Sequence, residues 1–300
     1  MKKVLKWIGI VLVGLVGILI LAVIGLSVSA NSRINKTYEV TPAVVDIPDD
    51  IAAIDRGAYI FNTSCAGCHG DNLAGTRFFD DPAIGYIPAP NLTAGQGGIG
   101  GIYSDTDFVR AIRHGVNADG SPLMIMPSKA FWHFSDEDLG AVIAYLKSAS
   151  PVDNDLGEKE LKPLGRVLLA AGAFGDVFAA EVLDHDGPRP SAPAHGVTAE
   201  YGEYLINTSD CRACHGTDLT GAKSSEPGAP FSPNLAPGGV LGIWSAADFI
   251  ETMRTGLTPY GRELDGNFMP YEEYGRMTDD DLTAMFLYLQ SLPAVETSTK

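Results

Sequence analysis

The chain spells one unit twice, and the repeat contains all four of its cysteines. Cys65-Ala66-Gly67-Cys68-His69 returns 146 residues later as Cys211-Arg212-Ala213-Cys214-His215. The likeness extends well past these pentads. Tyr59-Ile60-Phe61-Asn62-Thr63-Ser64 is echoed by Tyr204-Leu205-Ile206-Asn207-Thr208-Ser209, and Pro90-Asn91-Leu92 by Pro233-Asn234-Leu235. Ile102-Tyr103-Ser104 matches Ile243-Trp244-Ser245, Arg113-His114-Gly115 matches Arg254-Thr255-Gly256, and Met126-Pro127 matches Met269-Pro270. Each copy is a unit of about 100 residues, an ordinary domain size. The expected division is an anchor and linker over 1–50, a first unit over 51–150, a connection over 151–195 and a second unit over 196–300.

Each copy closes with a legible helix. Ser135 to Asp138 has the form of a capping box, and Leu139, Val142, Ile143 and Leu146 follow on one helical face. Thr278 to Asp281 and then Leu282, Met285, Phe286 and Leu289 repeat the pattern. The pattern predicts no strand of length in either copy, so the fold class expected is mostly α with long irregular loops. In the connection, Leu164 to Leu183 is apolar but carries Arg166, Asp176 and Glu181, charges that are costly at bilayer depth. It reads as a helix packed on a neighbouring unit, followed by a stiff proline-rich linker over Gly187–Pro193.

Trp7 to Ala30 is an uncharged run of 24 residues, long enough to cross a bilayer as a single helix. Lys2, Lys3 and Lys6 precede it and hold that end in the cytoplasm, so the rest of the chain is expected outside the cytoplasmic membrane, on its periplasmic side. Val28-Ser29-Ala30 also fits a signal-peptidase site, but signal peptides have apolar cores of only ~7–15 residues, which favours an uncleaved, lipid-embedded anchor. The formal charge is −16, which excludes a nucleic-acid binder, since phosphates demand a basic footprint. The second unit has six basic and fifteen acidic residues against six and ten in the first, making it the more suitable face for a basic partner.

The C-x-x-C-H pentad is the attachment signature of c-type haem: two thiols one helical turn apart reach the two vinyl groups, and the adjacent imidazole meets the iron. Three other uses of such pairs fit less well. Zinc pairs lie ~15–20 residues apart, redox pairs sit in a βαβ context, and a disulfide within each pentad leaves the repeated histidine idle. Cys65, Cys68 and His69 would hold one haem, and Cys211, Cys214 and His215 a second. Met126 and Met269, at matching places downstream, are the candidate sixth ligands, whose soft thioether favours Fe(II) and raises the potential. Met124 is a local rival without the following proline, and His114 and His133 lack a histidine counterpart in the second copy.

With these motifs each copy resembles a class I-type cytochrome c domain, the likeness covering about 200 of the 300 residues. The resemblance implies two tandem cytochrome c domains after a single transmembrane helix, with the first and last helices of each domain crossing near the haem. Tyr59 with Tyr145, and Tyr204 with Tyr288, would pack at the crossings. Arg113 and Arg254 are implied as donors to the haem propionates, with Asn91 and Asn234 as weaker candidates. The tandem arrangement is similar to the cytochrome subunits of membrane-bound alcohol and aldehyde dehydrogenases, which often carry three haem domains. It also resembles the di-haem subunit of cbb-type oxidases. The expected function is single-electron transfer between redox proteins, such as a dehydrogenase, a quinol-oxidising complex or an oxidase. The alternative, a di-haem peroxidase, needs one iron with an open position.

Overall fold

A computed structural model describes residues 2–223 and 228–297. The first helix, α1 (Lys2–Ile34), runs 33 residues and is the one described helix long and apolar enough to cross a membrane. Most of its apolar side chains from Val4 to Val28 stand exposed. Its far end does not hang free. Ala30 is fully buried against Ile87, Leu161, Leu169 and Phe178. Arg33 forks onto Glu181 at 3.0 and 2.6 Å and also donates to the Leu169 carbonyl at 3.1 Å. The helix is therefore docked on the folded mass beyond it.

The first unit runs α2 (Ile51–Ser64), α3 (Ala66–His69), β1 (Thr76–Asp81), β2 (Gly85–Ala89), α4 (Asp105–His114), α5 (Ser128–Phe131) and α6 (Asp136–Ser148). Of each expected closing-helix capping box the hydroxyl half forms: Ser135 accepts from Asp138 N at 3.0 Å and Thr278 from Asp281 N at 3.1 Å. The carboxylates of Asp138 and Asp281 accept instead from Tyr204 and Tyr59. The β1–β2 hairpin departs from the sequence expectation. Its partner strand, β3 (Glu160–Leu161), arrives from the connection and pairs with Gly85–Tyr86, so the sheet depends on residues distant in sequence. The connection also breaks where one helix was expected. The helix α7 (Pro163–Ala170) stops, Gly172 and Gly175 turn the chain with positive φ, and a 3-10 turn at Ala179–Glu181 completes the contact with α1. The second unit runs α8 (Ala199–Thr208), α9 (Cys211–His215), a short β4 (Ala222–Lys223) and β5 (Phe231–Ser232) pair, α10 (Ala246–Thr255), α11 (Tyr271–Tyr274) and α12 (Asp279–Ser291).

In each unit the first and last helices cross backbone to backbone over a glycine. A Cβ on Gly57 would lie 1.9 Å from the Ala141 carbonyl oxygen, and one on Gly202 1.9 Å from that of Ala284. Glycine is the residue that permits such an approach. Around the crossings sit two separate cores. One is built on Phe61, Leu139, Val142 and Ile143, the other on Tyr201, Ile206, Leu282 and Leu289.

The two units meet through a reciprocal contact. Tyr59 donates its hydroxyl to Asp281, in the first turn of α12, and accepts from Thr278 N at 3.1 Å. Tyr204, its counterpart, donates to Asp138 in the first turn of α6 at 2.6 Å and accepts from Ser135 N at 3.2 Å. The rings pack against the cores of their own domains, as the resemblance implied, while their hydroxyls reach the opposite unit. Between them, Arg56 makes a bidentate pair with Asp138 at 2.8 and 2.9 Å and reaches the hydroxyl of Tyr201, the residue at its own position in the repeat, at 3.3 Å.

Candidate haem sites

Each C-x-x-C-H pentad begins where a long helix ends. The Cys65 N–H closes α2 on the Phe61 carbonyl at 2.8 Å, and the chain then winds one short helix through His69. In the second unit Asp210 adopts positive φ and starts α9, so that Cys211 and Cys214 fall a turn apart. Burial pushes the Cys65 and Cys211 thiols up to about 12 and raises Cys68 as well. Among the described residues no group of three or more His, Cys, Asp or Glu is placed to hold a metal ion.

The histidines are set alike. His69 Nδ1 lies 3.0 Å from the Pro90 carbonyl and His215 Nδ1 2.8 Å from that of Pro233. A carbonyl accepts only, so Nδ1 carries the proton and Nε2 is left as the lone-pair donor, the arrangement typical of metal-bound imidazole. Burial holds both imidazoles below their ordinary pKa, partly offset by these carbonyls, and so favours the neutral form that ligates. The repeated Pro-Asn-Leu thus has a use: its proline carbonyl orients the histidine. The sequence signal was visible, but not its purpose.

Met126 is half-buried against the core of the first unit and Met269 against that of the second. Met124, the local rival, packs instead into the cluster beneath α1. The two arginines are occupied at the closing helices. Arg113, 1% exposed, donates to Asp136 and to the Phe134 carbonyl, each at 2.8 Å, and Arg254 donates to Asp279 at 2.7 Å. Asn91 and Asn234 are taken at both ends of the amide. Their Nδ2 atoms donate to the carbonyls of Val152 (2.7 Å) and Val295 (2.9 Å), and their Oδ1 atoms accept from Thr93 N (2.9 Å) and Ala236 N (2.8 Å). They tie the middle loop to the chain beyond the closing helix.

Two buried donors in these units, Arg113 Nε and Trp244 Nε1, have no acceptor among the described residues. Orphaned buried donors are costly, and the carboxylates of a porphyrin are suitable acceptors, so the residues present fit a haem. Trp244 was not a sequence candidate; its signal was the aromatic Tyr103 at the same repeat position, whose hydroxyl is satisfied by Asn117 at 3.1 Å.

Both pentads lie against the other unit. A Cβ on Gly67 would meet the Glu273 carboxylate at 2.8 Å, and Arg276 pairs with Asp71 at 2.7 Å. On the other side α5 contacts α8, and burial raises the carboxyl of Asp210 to about 6 against the pull of the Lys129 ammonium. Each attachment segment thus faces the short helix that follows the other unit's Met-Pro.

A family profile described as "Cytochrome c" matches residues 54–150 and again 199–293. The fructose dehydrogenase cytochrome subunit of Gluconobacter japonicus is 30% identical over 88% of this chain and 56% of its own. The cytochrome c subunit of the quinone alcohol dehydrogenase of Gluconacetobacter polyoxogenes is 29% identical, over 85% and 59%. That of the gluconate 2-dehydrogenase of Pantoea cypripedii is 29% identical, over 85% and 63%. The chain therefore spans little more than half the length of these relatives. Matched in both of its halves, the chain belongs to the cytochrome c family, as an electron-transfer protein with a covalently attached haem c in each of two tandem domains.

Proposed function

We propose that this chain is the electron outlet of a membrane-bound, substrate-oxidising dehydrogenase, held to the cytoplasmic membrane by α1 with both haem domains on the extracytoplasmic side. The observation that carries the reading is the duplicated site: two pentads, two histidines oriented by proline carbonyls, and two core-packed methionines in one chain. The names of the relatives supply the kind of partner. Lys2, Lys3 and Lys6 support the sidedness, and the burial of Ala30 supports an anchor that stays attached.

In this reading Cys65 and Cys68 would hold the first haem as thioethers, and His69 and Met126 would ligate its iron. Cys211, Cys214, His215 and Met269 would do the same for the second. Bound haem supplies the one-electron Fe(III)/Fe(II) couple. The protein's part is to hold ligands still and keep water out. The Pro90 and Pro233 carbonyls fix the imidazoles, and the cores fix the thioethers. Arg113 Nε and Trp244 Nε1 are the donors suited to the propionates. Tyr59 and Tyr204, whose hydroxyls cross between the domains, give the electron a route through packed protein.

Gentle detergent extraction, capture of this chain and mass spectrometry of its companions tests the partner. A flavin or quinoprotein dehydrogenase is expected. Oxidase or quinol-oxidising subunits alone would refute the dehydrogenase assignment and leave a respiratory-chain carrier.

A further inference from the structure

The two domains differ most in what covers the loop leading to each methionine. In the first, the turn from Val116 to Pro122 is sealed by chain from outside the domain. Tyr38 N donates to the Gly120 carbonyl at 2.9 Å, Lys159 Nζ to that of Pro122 at 3.3 Å, and Ile125 N, just beyond, to that of Val177 at 2.8 Å. Val116 has no exposure at all.

The second domain builds the same turn, with a Leu257–Glu263 bridge where the first has Val116–Pro122. Its hydrogen bonds run inside its own domain: Thr258 N to Arg262 O at 2.9 Å, Gly261 N to Thr258 O at 2.9 Å, and Leu264 N to Gly256 O at 2.7 Å. Leu257, at the position of Val116, is 45% exposed, and Tyr260 is 70% exposed. A Cβ on Gly120 would strike Thr37 at 2.7 Å, whereas one on Gly261 would meet nothing within 4 Å among the described residues. The fold is the same, yet one copy is covered and the other is bare. Around the bare turn, exposed Glu263, Asp265 and Glu272 outnumber the neighbouring cation Arg262.

We propose that the bare Leu257–Glu263 face of the second domain is the docking surface for a redox protein whose contact face has an apolar centre rimmed by lysine and arginine. The proposal rests on the reading of the chain as an electron carrier, and makes the second domain its point of exchange with that partner. The local acids choose the occupant. A second copy of this chain, of formal charge −16, would bring the same acids against themselves, and anionic lipid headgroups would be repelled in the same way. A basic-rimmed protein is attracted, and its apolar centre covers Leu257 and Tyr260 as Tyr38 and the connection cover the first domain.

The test uses the full-length di-haem protein in detergent, reduced and mixed by stopped flow with a cationic mono-haem cytochrome c as probe. Glu263→Lys with Glu272→Lys should slow electron transfer about 10-fold at low ionic strength and abolish its decline with salt. Leu257→Ser with Tyr260→Ser should slow it at every salt concentration. Reversal of Glu39, Asp55 and Glu158, exposed acids before or in the first domain and its connection, should change the rate less than 2-fold. Unchanged haem spectra in each variant show that the domains remain folded. Equal rates in wild type and both second-domain variants would overturn the docking face alone. A wild-type protein that passes electrons neither to this probe nor to ferricyanide would overturn the carrier reading as well.

Discussion

Tyr59 and Tyr204 each give a hydroxyl to the opposite domain, and in doing so satisfy a carboxylate and an amide at a closing-helix N-terminus. Tyr59→Phe or Tyr204→Phe should each cost about 1–3 kcal/mol, read by denaturant unfolding, since a half-buried carboxylate and amide lose their partner. The tyrosines were legible as a repeat; their partners, more than 60 residues away, were not. His114 shows the same limit. It has no counterpart and carried no clear sequence signal, yet it is buried at a 3.1 Å contact with His185, and burial with that neighbour lowers it to about 4. Its pKa is lower folded than unfolded, so the unfolded chain takes the proton first. The stability tied to a neutral His114 is present above about 6.5 and lost as the pH falls toward 4, by at most roughly 3 kcal/mol. Melts across that window should slope less in His114→Gln than in wild type; an equal slope would show that other groups set it. At the methionine, Met269→His should lower the potential of the second haem in a redox titration, and an unchanged potential would show that another group ligates that iron.

At the level of elements, the crossings of α2 on α6 and α8 on α12 hang on single glycines. Gly57→Ala or Gly202→Ala drives a methyl into a backbone carbonyl that cannot swing aside, and about 3 kcal/mol or more of destabilisation is expected by thermal unfolding. Either variant melting like the wild type would mean that the helices separate at little cost. The helices themselves were readable because caps and i, i+3, i+4 spacing are local. The hairpin was not, since β1 and β2 are stabilised by a strand that follows some 70 residues later and are interrupted by Gly85 and Pro88. The connection misled for a related reason: its composition suits a helix, while Gly172 and Gly175 turn it back toward Arg33 and Ala30.

For the whole molecule, the pentads declared the haems and the repeat declared two domains, but nothing in the sequence placed one domain against the other. That arrangement rests on the two tyrosines and, behind them, on Arg56, which holds Asp138 of its own unit where Tyr204 reaches it and also touches the Tyr201 hydroxyl. Its partner Asp138 is buried, so Arg56→Ala leaves a charge without its cation, at about 3 kcal/mol. Calorimetry should then resolve two transitions where the wild type shows one. A single transition in the variant would mean that the tyrosine contacts suffice. The contact is reciprocal between the two copies of the repeat. A patch that answers itself, position 59 meeting 281 while 204 meets 138, is isologous, the kind of surface by which two identical chains pair about a two-fold axis. A single ancestral domain bearing the tyrosine and the closing-helix acid would satisfy both bonds by self-association. Fusing two such genes then joins partners that already fit, and leaves each copy free to specialise: one takes on the membrane, the other keeps a face open to its surroundings.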